Sequence, residues 1–75
     1  WGRPNIGRLA GIIVSVQNNN NFSIADFNGN HWQIHFTDAT INTFIPEINS
    51  TVRMLGRLAP ISNTFIANSI QEWGD

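Results

Sequence analysis

His31 and His35 are the side chains most able to do chemistry near neutral pH, and their spacing decides what that chemistry is. Four residues apart on a helix they would meet one ion. On a strand they stand about 13 Å apart, beyond the reach of a shared metal. The strand pairing read below gives them Ala25 and Asn21 as cross-strand neighbours, neither a good transition-metal ligand. We therefore expect solvated histidines open to a pH-sensitive contact, with no metal and no cofactor. The carboxylates Asp26, Asp38, Glu47, Glu72 and Asp75 are scattered, and none is forced into a general acid–base pair. There is no cysteine, and Gly7-x-x-x-Gly11 reads as a bend in a strand, not a phosphate cradle. Enzymatic activity is not expected.

The remaining candidates are cations and rings. Arg3, Arg8, Arg53 and Arg57 are the only basic residues beside the histidines, and the net charge is −1. That balance gives little long-range pull on a polyanion or an acidic membrane. Asparagine is the main polar filler, including the run Asn18 to Asn21, so the surface is neutral and rich in hydrogen-bonding groups.

The hairpin Phe22 to Phe36 positions the histidines. Two alternating runs flank Asp26-Phe27-Asn28-Gly29, a strong turn signal. A three-residue loop, Phe27-Asn28-Gly29, puts Asp26 opposite Asn30 and Ile24 opposite Trp32. Phe22, Ile24, Trp32, Ile34 and Phe36 then share the inward face. Ser23, Ala25, His31, Gln33 and His35 share the outward one, and a one-residue slip would exchange the two sets.

The 75 residues make one small domain, with 1–5 as a lead-in arm or linker. The first strand is expected over about Ile6 to Val16, with Ile12, Val14 and Val16 inward and a parity change near Gly7 or Gly11. A strand that bends partway can pair in two sheets, which is a barrel signal. Asn18 to Asn21 reads as a loop. Between strands three and four, Ile41, Phe44 and Ile45 follow possible caps at Asp38 or Thr40, predicting a helix of one or two turns ended by Pro46. The fourth strand is expected over Thr51 to Leu58, with Val52, Met54 and Leu58 inward and a bulge at Gly56. The fifth runs over Thr64 to Ile70, with Phe65 and Ala67 inward; Ser69 to Glu72 has capping-box spacing, but little helix is expected there before Asp75. The architecture predicted is all-β, five strands and one short helix.

Gly11, Phe22-x-Ile24-x-Asp26-x-x-Gly29-x-x-Trp32, Val52-x-Met54-x-Gly56 and Phe65-x-Ala67-x-x-Ile70 resemble the pattern of many bacterial OB-fold domains. The resemblance covers Ile6 to Trp73 and implies a five-stranded Greek-key barrel with the helix between strands three and four. Strands four and five also resemble the periplasmic haem chaperone of cytochrome c maturation. That family's tail carries a haem-attaching histidine, whereas this one reads Gln71-Glu72-Trp73-Gly74-Asp75, so its chemistry is not carried over.

OB-fold domains often bind single strands, through outer-face aromatics and a basic groove. Here the outward hairpin face holds no ring except Phe27 at its tip, so a protein partner ranks ahead of single-stranded nucleic acid. A sugar or small polar ligand ranks third. The expected contact residues are Phe27, His31, Gln33 and His35 on the hairpin, with Arg53, Leu55 and Arg57 as a second patch. Leu55 and Ile66 supply outward apolar contacts, and Trp73 is assigned to the core. No stretch approaches the roughly 20 apolar residues of a membrane span. The missing initiator Met, the lysine-free surface and the sequons at Asn21 and Asn49 favour an excised or processed, extracytoplasmic piece.

Overall fold

The computed structural model describes residues 3–36 and 45–73. It comprises a 3-10 turn at Pro4–Ile6 and the strands β1 (Arg8–Asn18), β2 (Asn21–Asp26), β3 (His31–Phe36), β4 (Thr51–Leu58) and β5 (Thr64–Glu72). The strands close into a barrel in the order β1-β2-β3-β5-β4. All contacts between neighbours are antiparallel except β3 with β5, which is parallel. Of the helix expected from Asp38 or Thr40 to Ile45, all but Ile45 lies outside the described residues, and Ile45 is exposed and not helical.

β1 closes the barrel because it serves two partners. Arg8 to Ile12 pair with β4, and from Gly11 onward the strand pairs with β2. Gly11 itself lies opposite both Asp26 and Val52. A Cβ there would collide with the Ala25 carbonyl oxygen and stand 3.0 Å from Asp26 Cα, so only glycine lets the strands approach this closely.

The inward parity expected for β1 is corrected. Leu9 and Ile13 are fully buried, while Ile12 and Val14 are 37% and 43% exposed. The parity change lies at Val14, not at Gly7 or Gly11. Ile13 opposes Ile24 but Ser15 opposes Ser23, so Val14 is the extra residue of a bulge. Beyond it Val16 lies opposite Phe22, on the inward side as expected, yet remains partly exposed at the strand's end. The Asn run is shorter as a loop than expected: Asn18 and Asn21 already pair, leaving Asn19 and Asn20 as the turn.

The central hairpin takes the expected register, Ile24 opposite Trp32 and Phe22 opposite Ile34. Its loop is Phe27-Asn28-Gly29, closed by Gly29 N–H donating to the Asp26 carbonyl (3.1 Å), with Gly29 at φ +88°. In β4, Val52 and Met54 are buried as expected. Leu58 opposes the inward Phe65 but is 42% exposed, because the barrel ends there. Between Leu55 and Gly56 the β4–β5 register slips, with Asn68 the extra residue on β5. That bulge explains the spacing Phe65, Ala67, Ile70: two residues, then three. Ser69 to Glu72 continue the strand, not a helical turn.

The core holds Leu9, Ile13, Phe22, Ile24, Ile34, Val52, Met54, Phe65 and Ala67, with Trp32, Phe36 and Ile70 packed against it. Phe22 and Phe36 meet edge to face at 5.9 Å between ring centroids.

Candidate functional site

The four arginines, distant in sequence, come to one side of the barrel. The turn at Pro4–Ile6 folds the lead-in back so that Arg3 N–H donates to the Arg8 carbonyl (2.9 Å) and Arg8 N–H to that of Arg3 (3.1 Å). The arm is thus joined to β1. Arg8 lies opposite Leu55 in β4, and directly paired residues share a face. Because the bulge of this region falls on β5, β4 keeps its alternation, and Arg53 and Arg57 stand on the same face, each about 7 Å along the strand from Leu55. Arg8, Arg53 and Arg57 therefore surround Leu55, which is 45% exposed. A shallow depression of about 300 Å³ lies beside it, between Arg53, Leu55, Ser69 and Gln71.

This face continues into two aromatic rings. Trp73 N–H donates to the Thr51 carbonyl (2.8 Å), carrying the β4–β5 pairing one residue past the strand. Arg53 Nε donates to Gln71 Oε1 (3.2 Å), and its guanidinium carbon lies 5.6 Å from the Trp73 ring centroid. A cation over an indole face is attracted by about 0.5–1 kcal/mol at an exposed site. Trp73 also meets Phe27 edge to face, with centroids 6.0 Å apart. Phe27 is 62% and Trp73 39% exposed, so the assignment of Trp73 to the core is corrected: it is a surface ring.

Phe27 is held there by its neighbour. Asp26 Oδ1 accepts from the backbone N–H of Asn28 and of Asn30 (both 2.9 Å), and Oδ2 accepts from Trp32 Nε1–H (3.0 Å). Partial burial pushes the Asp26 carboxyl up. Hydrogen bonds from the Trp32 indole, the Asn30 and Asn28 backbone and the Asn30 side chain outweigh it and hold the group below the usual carboxylate value. One carboxylate thus fixes both the loop that presents Phe27 and the indole that packs on the core.

The outward face of the hairpin has a different character. His31 opposes Ala25, and His35 opposes Asn21 with Ile66 on its other side. Both histidines are exposed. Gln33 is tied into the sheet: Ser23 Oγ donates to its Oε1 (3.1 Å), and its Nε2 donates to Gln17 Oε1 (3.4 Å). Among the described residues no group of three or more His, Asp or Glu comes together to hold a metal ion. The structure therefore splits the hairpin set. His31, Gln33 and His35 stay on this polar face, while Phe27 joins Arg53, Leu55 and Arg57.

Two members of the resulting stripe, Trp73 and Arg8, were not picked out as contact residues from sequence. Trp73 left a signal, since counting alternation from the inward Ile70 places it outward. Arg8 left none, because its place beside Leu55 depends on the long-range pairing of β1 with β4.

No family model and no curated protein matches the chain. Among solved structures it is similar to replication protein A of U. maydis bound to ssDNA, with a TM-score of 0.67 and 20% identity over 93% of this chain and 63% of that one. It is also similar to apo-CusF residues 6–88 of Escherichia coli, with a TM-score of 0.66 and 11% identity over 97% of this chain and 93% of that one. The chain thus spans under two thirds of the replication protein A chain. At these identities the likeness bears on architecture, and the architecture is the OB fold.

Proposed function

We propose that this OB-fold chain is a non-enzymatic binding module that takes single-stranded nucleic acid along the β1–β4–β5 face. The observation that carries the reading is the contact of Arg53 with Trp73 and of Trp73 with Phe27. Stacking rings beside cations are what single-strand binding needs, the rings for bases and the cations for the backbone. Arg57 and Arg8 extend the cationic part along β4 and β1. From sequence a protein partner ranks first, because the outward hairpin face holds no ring except Phe27 and the net charge of −1 gives little pull on a polyanion. With Arg53 on Trp73 and Trp73 against Phe27 the order reverses. The similar barrel of replication protein A, described as bound to ssDNA, supports the same reading.

Stacking tolerates any base, so binding is expected to be nearly independent of sequence. Three phosphate contacts, one for each of Arg8, Arg53 and Arg57, would give a slope of log affinity against log salt of about −2. The test is fluorescence anisotropy of a labelled single-stranded oligonucleotide titrated at falling salt. Binding with that slope supports the reading, and no binding at the lowest salt overturns it.

A further inference from the structure

We infer that Asn28 is a site of spontaneous deamidation, and that the Asp26 carboxylate sets its rate. Asn28 is exposed at the hairpin tip and is followed by Gly29. Beyond the adjoining residues nothing lies within 4 Å of where a Gly29 Cβ would stand, so no other part of the barrel crowds the tip. Asn28 is the only asparagine in the sequence followed by glycine; Asn49 and Asn68 precede serine, and the run Asn18 to Asn21 precedes asparagine or phenylalanine.

The reaction needs only water. The Gly29 backbone nitrogen loses its proton to water or hydroxide and attacks Asn28 Cγ, forming a new C–N bond. The Cγ–Nδ2 bond breaks and ammonia leaves, giving a five-membered succinimide. Water then opens the ring at either carbonyl, yielding aspartate or isoaspartate. No oxidation or reduction occurs, and the net charge changes from −1 to −2 as one amide becomes one carboxylate.

The same hairpin restrains the attacking atom. Gly29 N–H donates to the Asp26 carbonyl (3.1 Å), and Asp26 Oδ1 holds the Asn28 and Asn30 N–H groups on either side. Attack requires Gly29 N to leave its acceptor, so the rate follows the fraction of time the tip is open. The new carboxylate would stand beside Phe27, whose ring touches the Trp73 that Arg53 covers. The isoaspartate product also adds one carbon to the backbone of the loop that presents Phe27.

The chain is incubated at mildly alkaline pH, and deamidation is located by peptide mass mapping and an isoaspartate assay. Three arms run beside the native protein: the chain in urea, Asp26→Asn, and Trp32→Phe, which removes one donor to Asp26 while keeping an aromatic ring. We expect modification first at Asn28, about tenfold faster in urea than in the native chain, with both variants faster than native. If Asp26→Asn fails to fold, Trp32→Phe decides. Modification that begins at another asparagine, or variants no faster than the native chain, would overturn the inference.

Discussion

The barrel presents two outer faces built from the same kind of alternating strand, and they differ in the groups they bring together. On the β2–β3 face the polar groups largely satisfy one another: Ser23 bonds Gln33, and Gln33 bonds Gln17. Two histidines stand apart on one strand, and no ring accompanies them. On the β1–β4–β5 face, three arginines surround an exposed leucine, and one of them leads into a pair of exposed rings. The difference arises from chain closure. Residues of one hairpin share a face by local alternation, whereas the arginine face gathers the lead-in arm, β1, β4, the tip of the β2–β3 loop and the residue after β5. A binding surface assembled from distant segments can combine charge and aromatic area in a chain carrying only four arginines.

The comparison can be broken at its foundation first. At Gly56 an added Cβ would collide with the Ile66 carbonyl oxygen and stand 2.9 Å from Ala67 Cα. Gly56→Ala should therefore cost about 3 kcal/mol or more, read as a lower urea midpoint with an unchanged slope. A substitution at Asp26 comes next. Asp26→Ala removes a carboxylate with three donors and should cost about 2 kcal/mol. The folded-state pKa is depressed, so this contribution is complete above the ordinary carboxylate value of 3.8 and is lost as pH falls through the lower folded value. Asp26→Asn should accordingly flatten the acid limb of a stability-versus-pH curve, and an unchanged limb would refute the role.

Smaller effects separate the two faces directly. Trp73→Ala and Phe27→Ala should each weaken oligonucleotide binding by about 1–2 kcal/mol while leaving the salt slope unchanged, since they remove stacking and not charge. Measured affinity with parallel salt plots checks this. The smallest effect is expected on the hairpin face. His31→Ala, Gln33→Ala and His35→Ala should each change affinity at neutral pH by less than about 0.5 kcal/mol. A larger loss at any of the three would move the site to the β2–β3 face.

Much of the fold was legible in the sequence, because local rules carry it. Matching apolar faces fixed the hairpin register, and Asp26 and Gly29 marked its three-residue loop, but the bulge expected on β4 at Gly56 lies across the pairing on β5, at Asn68. The inward face of β1 was misread for a physical reason. Ile12, Val14 and Val16 form an unbroken apolar alternation, but the bulge at Val14 changes sides within it, and nothing about a valine announces a bulge. The candidate site was half legible. Arg53, Leu55 and Arg57 follow from alternation along one strand. The meeting of Phe27 with Trp73, and of Arg8 with Leu55, depends on strand order and closure, which no local pattern specifies.

The most direct measurement is a salt titration of single-stranded oligonucleotide binding by three proteins: the unchanged chain, Arg53→Ala/Arg57→Ala, and His31→Ala/His35→Ala. The arginine pair should bind at least tenfold more weakly at low salt, with a slope shallower by about 1.4, while the histidine pair should match the unchanged chain. Equal binding by the arginine variant and the unchanged chain, or a loss confined to the histidine variant, would contradict the assignment of the ligand to the β1–β4–β5 face.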